Sequence, residues 1–407
     1  MTQQDKTVIR ELAKQYMEIA CSEKQQKAVE RMRATNDLKI VRPPVIMDEI
    51  PWYQMNIGDE LTCLCSEEKA RRLELTLRKG IYRHRHFKCD AILEPCYKVR
   101  MHYDATPFEP EAQEQILRTD GQNNIVSHYY GDLLETEESV EKLQIPTFTA
   151  RPDRDEAEMN YFSELLGDVM PVKLCGRNFL YHAPWDRIAR LRGVEPILMD
   201  LYDRPEHLHR IRRKYHEAAL AEMDFVEKHL HVDPDVTSLH CTPGYISGLA
   251  EDGWKATWFR GMAQMFSDVS PQMLEEFDID YSKELAERFA YSYYGCCEAL
   301  DRRMDVVKKL PNLRKIGVSP WSDEEMSARA IGGNYVYARK PNPANVAIQT
   351  DPKVIRAETE KTVKLCQKFG CPVEFVLKDI STVSNRPENL ILWAETVSDV
   401  LDEYYGT

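Results

Sequence analysis

Two adjacent thiols and a carboxylate, Cys296-Cys297-Glu298, follow the apolar run Phe289-Ala290-Tyr291 and the pair Tyr293-Tyr294. The thiolate is the nucleophilic and metal-binding form of cysteine, and a thiol at a helix N-terminus ionises more readily. Zinc takes about four ligands from thiolates, imidazoles and carboxylates. His240-Cys241 and Asp379 are further donors of those types. The chain has neither CxxC nor HExxH, so spacing leaves two readings open. In one, Cys296, Cys297 and Glu298 hold a metal. In the other, Cys296 packs inward as a small hydrophobe and Cys297 starts a helix. His84 and His86 alternate as ligands on a strand would, or belong to a solvated polar face. Lys340-Pro341-Asn342-Pro343 is an extended turn whose prolines stiffen the backbone. It would fix Lys340 and Asn342, or simply brace a loop. Trp321, after Ser319-Pro320, could stack on a flat substrate or cover the core.

These residues need a frame that brings them together. Short apolar strand signals occur at 42–49, 89–94, 169–174, 261–266, 288–293, 314–318, 335–338 and 373–377. Helix-like stretches follow the later ones: Pro271 to Arg288, Cys297 to Leu310, Ser322 to Ile331, Pro352 to Phe369 and Pro387 to Glu403. Repeated strand and helix alternation gives a mostly parallel sheet. Eight signals favour closure into a single (β/α)8 TIM barrel, in which catalytic groups gather where strands end. That rule collects Asp48 and Glu49, Glu94 with Cys96 and Tyr97, Cys175, Ser267 and Asp268, Cys296-Cys297-Glu298, Trp321, Lys340 and Asn342, and Lys378-Asp379. Single acids at such ends can also cap helices.

Residues 1–40, rich in Lys, Glu, Gln and Arg, suit a helical N-terminal extension, with the barrel spanning 41–407. The polar stretch near 103–165 suits an inserted lid. The net charge of −13 argues against nucleic acid, which needs clustered excess Lys and Arg. No apolar run approaches the roughly 18 residues of a membrane span. The start Met1-Thr2-Gln3-Gln4-Asp5-Lys6 lacks the blocks of a signal peptide, so a cytoplasmic protein is expected. Its 11 cysteines then read as free thiols.

The segment from Ala183-Pro184-Trp185-Asp186-Arg187 to Asp203-Arg204-Pro205-Glu206 resembles the stretch before the mid-barrel helices of the uroporphyrinogen decarboxylase superfamily. Gly261 to Tyr404 is similar in order and spacing, so the resemblance covers roughly residues 40–404. The Tyr-Gly-Cys-Cys-Glu and Lys-Pro-Asn-Pro stretches resemble its methyltransferase-like branch. True porphyrinogen decarboxylases carry an arginine-rich segment of the pattern Arg-Gln-Ala-Gly-Arg-Tyr. Here Asp48-Glu49-Ile50-Pro51-Trp52-Tyr53 is acidic and would repel a polycarboxylate.

Members that methylate coenzyme thiols hold zinc with an HxC pair and a later Cys. Cys296 matches that pattern; the imidazole and the last thiol do not. The resemblance therefore implies the donor-side role, in which a methyl group passes from a small O- or N-methylated donor to the cobalt of a partner corrinoid protein. Glu298 or Asp379 would protonate the leaving group, or a metal such as zinc on Cys296, Cys297 and Glu298 would assist it. Lys340 and Lys378 would hold a donor carboxylate. Glu94, Tyr97, Trp321, Asn342 and Tyr294 would line the substrate site, and a homodimer is implied. The alternative is a decarboxylase or lyase acting on a small carboxylic acid through Lys340, Lys378 and Asp379.

Overall fold

A computed structural model describes residues 1–118, 126–234 and 237–406. The excursion near 103–165 thus falls partly outside the described residues. Seven strands form one curled, all-parallel sheet: β1 (Val45–Met47), β2 (Phe179–His182), β3 (Trp258–Gly261), β4 (Tyr291–Tyr294), β5 (Leu313–Val318), β6 (Val336–Arg339) and β7 (Val373–Leu377). Their order is β1-β7-β6-β5-β4-β3-β2. Val45 lies opposite Phe375, and Tyr294 opposite Gly261 and Ile316.

A closed eight-stranded barrel is not formed among the described residues. Of the expected strands, 89–94 is irregular and meets β1 chiefly through Asp90. The Asp90 N–H donates to the Val45 carbonyl at 2.7 Å, and its carboxylate accepts the Val45 N–H at 2.9 Å. The signal at 169–174 became a strand, Val172–Cys175, that pairs with Tyr97–Arg100 in a separate two-stranded sheet. The strand expected at 261–266 lies earlier: β3 ends at Gly261, and Gln264–Phe266 is a 3-10 turn. β2 shows no strand signal in the sequence. Its residues, Phe-Leu-Tyr-His, lie between a glycine and a proline and pass for a loop.

Instead of an eighth strand, the irregular segment 238–246 fills the opening between β1 and β2. Leu239 and Ile246 pack with Trp258, Tyr293 and Ala338 inside the curl. The Trp258 indole N–H donates to the Gly244 carbonyl at 3.0 Å.

Side chains alternate across each strand. Tyr294, Ile316, Tyr337 and Phe375 face the helices and join the main apolar core. Arg260, Tyr293, Lys315, Lys340 and Glu374 face inward and are buried. The interior is therefore ionic where such barrels are usually filled by branched aliphatics. Lys315 Nζ lies 2.8 Å from a Glu374 carboxylate oxygen, with both side chains fully buried. The Arg260 guanidinium sits 3.8 Å above the Tyr293 ring and donates to the carbonyls of Gly261 and Gly295.

The amphipathic N-terminus forms α1 (Gln3–Ala20) and α2 (Glu23–Asn36). α1 buries Ile9 and Ala13 in a second apolar cluster with Leu73, Leu77, Phe162 and Leu165, and α2 places Met32 against Ile46 and Val376. Both helices are thus part of the packed body. No described helix is long and apolar enough to cross a membrane.

Candidate functional site

The C-terminal ends of β1, β4 and β7, with the segment 238–246, enclose a small polar pit. Gly295 ends β4 at φ +90, and a Cβ there would come within 2.4 Å of Leu300. This left-handed turn, which favours glycine, directs the chain that follows into the pit. The helix expected from Cys297 starts later, with a 3-10 turn at Asp301–Arg303 and one helical turn at Met304–Val307. The thiols therefore sit in a loop, and side chains rather than a helix N-terminus set their charge.

Cys296 is buried and Cys297 half-buried, their sulfurs 3.7 Å apart. Lys378 Nζ, carried in by the end of β7, lies 3.0 Å from the Cys296 sulfur and 3.6 Å from that of Cys297. The Cys297 thiol donates to Asp379 at 2.9 Å. Contact with the Cys297 sulfur, then with His240, and the charges of Arg260 and Lys378 hold the Cys296 thiol well below its ordinary value despite burial. Cys297 moves the other way, raised by its contact with the Cys296 sulfur and by burial. Burial works against charge on Lys378, but Cys296, Cys241, Cys297 and Asp379 together keep its ammonium raised.

Glu49 closes the pit from the end of β1. One of its oxygens accepts the Asp379 N–H at 2.9 Å and lies 3.6 Å from Lys378 Nζ. Burial raises the Glu49 carboxyl, opposed by Lys378 and aided by Asp379. Burial also pushes Asp379 up, but the Cys297 hydrogen bond and Lys378 outweigh it and leave the group lowered. Glu49, His240, Cys241 and Asp379 all have left-handed backbones, with φ of 50, 54, 69 and 57. Such non-glycine conformations cost energy and gather at functional sites.

Of the residues expected to form a site, the fold brings Cys296, Cys297, Lys378 and Asp379 together. Glu298 is close in sequence but turns away. Its carboxylate accepts the backbone N–H of Cys296 at 2.8 Å and of Ala263 at 3.3 Å, so it braces the thiol loop and is not directed at the sulfurs. Burial, then the Cys296 charge, raises it to about 6. Lys340 is buried below the pit, its Nζ without a hydrogen-bond partner among the described residues and 5.6 Å from the Tyr293 ring centre.

Four of the five expected lining residues have other structural places, and the fifth is a loop surface. Tyr294 is on the outward face of β4 and donates to Asp278 at 2.6 Å. Tyr97 packs on Phe162 in the second cluster, and Glu94 pairs with Lys98 at 2.5 Å. Asn342 caps the Ala344 N–H at 3.0 Å. Trp321 is 71 % exposed on the loop after β5. His84 and His86 lie on the helix Glu68–His86, where His86 Nε2 meets Glu60 at 2.9 Å.

Three residues at this site were not foreseen: Tyr181, Asp186 and Arg260. The Tyr181 ring lies 4.9 Å from that of His240. Both Tyr181 and Asp186 line a neighbouring cavity of about 380 Å³ with Phe108, Arg187 and Tyr215. Burial raises the Asp186 carboxyl, and the Cys296 charge adds to this. Only recognition of β2 in the sequence would have placed Tyr181 and Asp186 at a strand end.

No family model matches this sequence, and no curated protein does. Among solved structures, a methyltransferase from Methanosarcina mazei superposes over 93% of this chain and 99% of its own, with 11% identity and a TM-score of 0.49. At that level of superposition and identity, nothing about its chemistry carries over to this chain.

Proposed function

We propose that this chain is an enzyme that transfers a methyl group from a small O- or N-methylated donor to the cobalt of a partner corrinoid protein. The observation that carries the reading is the convergence of Cys296, Cys297, Lys378 and Asp379 within hydrogen-bond reach at the ends of parallel strands. The resemblance of 40–404 to the methyltransferase-like branch supports the same reading.

A reduced corrinoid supplies a strong nucleophile when docked, so the enzyme's task lies with the leaving group. As the carbon–heteroatom bond breaks, the electron pair stays on the heteroatom, which must take up a proton. The Cys297 thiol, hydrogen-bonded to Asp379, is placed to give that proton. The Lys378 ammonium steadies the negative charge that develops before the proton arrives. The cavity lined by Tyr181, Asp186 and Arg187 offers room for the body of a small donor.

Purified protein mixed with a reduced corrinoid protein and a panel of methoxylated and N-methylated compounds should develop methylcobalamin absorbance with at least one of them. If none does, the proposal fails. A decarboxylase or lyase reading draws on one observation, the buried Lys340, whose Nζ has no hydrogen-bond partner among the described residues. Release of carbon dioxide from a small carboxylic acid, with no corrinoid present, would select it.

A further inference from the structure

Beside the thiol pair lies a second group of donors. The Glu49 carboxylate, the His240 imidazole and the Cys241 thiol each place one ligand atom within 4.8 Å of the other two. Glu49 comes from the end of β1, and His240 and Cys241 from the irregular segment that takes the place of an eighth strand. None of the three lies where the zinc-binding motif of the resembling branch would fall, at 294–296 and near 378.

We infer that Glu49, His240 and Cys241 hold one divalent metal ion of zinc character, with a fourth position open to the pit. One oxygen, one nitrogen and one sulfur donor form a mixed set that suits zinc better than the hard cations magnesium or calcium. Metal–ligand lengths of about 2.0–2.3 Å put tetrahedral ligands roughly 3.3–3.8 Å apart. The three ligand atoms, now within 4.8 Å of one another, would close to that spacing on binding the ion.

The surroundings already orient two of the ligands, as outer-shell partners do in metal sites. The Glu49 oxygen turned away from Cys241 is held by the Asp379 N–H at 2.9 Å, while the other lies 3.8 Å from the Cys241 sulfur. The His240 ring is backed by Tyr181 at 4.9 Å. Adjacent residues in extended or helical backbone point their side chains apart. The left-handed φ of 54 and 69 at His240 and Cys241 brings both donors to one side. A thiolate and a carboxylate balance the charge of a divalent ion. The nearby Lys378 ammonium, 3.0 Å from Cys296, is countered by that sulfur.

It differs from the expected Cys296, Cys297 and Glu298, of which Glu298 accepts backbone N–H groups and Cys297 donates to Asp379. Three protein ligands with an open position is the catalytic rather than the structural form of a zinc site. Resting on the function proposed above, that position would receive the donor's heteroatom as a Lewis base, next to the Cys297 proton.

The metal is tested on the whole chain alone, without corrinoid or donor, so that its failure is separate from failure of the methyl-transfer reading. Protein dialysed against Zn(II) and then against metal-free buffer should retain about one zinc per chain by elemental analysis. With Co(II) in its place, a sulfur-to-cobalt charge-transfer band should appear in the near ultraviolet. Cys241→Ser should abolish that band. Cys241→Ser, His240→Ala and the milder Glu49→Gln should each lower retained zinc by more than about tenfold, with circular dichroism confirming the fold. Cys297→Ser should retain the metal. Wild-type protein that holds no zinc, undiminished zinc in folded Glu49→Gln and His240→Ala, or loss of zinc in Cys297→Ser would each overturn the assignment.

Discussion

The Cys297 sulfur lies 2.9 Å from a carboxylate oxygen of Asp379, joining the chain that leaves β4 to the chain that leaves β7 across the pit. Along the sequence the two residues are 82 positions apart. If this contact carries the proton to the leaving group, Cys297→Ala and Asp379→Asn should each slow single-turnover methyl transfer by about 10²-fold or more. Donor affinity should change little. A merely structural contact would instead lower the melting temperature and leave the rate of the folded fraction intact.

Arg212 approaches Asp278 to 3.9 Å, and burial raises the Asp278 carboxyl from 3.8 to about 6. A carboxyl raised in the folded state binds its proton more tightly there than in the unfolded chain. Its contribution is therefore present at low pH and lost as pH rises through the window from about 4 to 6. Urea unfolding of wild-type protein and Asp278→Asn should give a stability difference, wild type minus variant, that falls by up to roughly 3 kcal/mol across that window. A difference that stays flat or rises would refute the assignment.

The Lys315–Glu374 pair is fully buried, and Thr242 donates to the same Glu374 oxygen at 2.9 Å. Removing one partner leaves a buried charge uncompensated. Lys315→Met should cost about 3–5 kcal/mol in chemical denaturation. Lys315→Met combined with Glu374→Leu should recover much of that loss, because the pair's desolvation cost disappears with it.

At Gly295, φ is +90 and a Cβ would press on Leu300. Gly295→Ala should destabilise the fold by about 1–3 kcal/mol. Because the same turn aims the thiols, alkylation of the Cys296–Cys297 pair by a small thiol reagent should also change in rate. An unaltered rate would show that the loop keeps its course without the glycine.

Much of the framework is local in origin and can be read from the chain. Short apolar runs mark β1, β4, β5, β6 and β7, and the helices Pro352–Phe369 and Glu388–Tyr405 fall where their prolines and apolar spacing place them. Strand ends then put Cys296, Cys297, Lys378 and Asp379 on one rim. The parity of each strand was harder to read, since buried parallel strands are apolar on both faces. Tyr294 therefore passes for a lining residue in the sequence, whereas it faces outward and Tyr293, its neighbour, faces in.

What the tertiary structure alone decided is where the sheet opens and what fills it. Segment 238–246 has no periodicity, and its course depends on Trp258, Tyr293 and Ala338 packing against Leu239 and Ile246. That packing carries His240 and Cys241 to Glu49, which precedes Cys241 by 192 positions. Local propensity and hydrophobic period act over a few residues. The meeting of Glu49, His240 and Cys241 beside the thiol pair follows from strand register and from the gap in the curl, and these exist only once the whole sheet has formed.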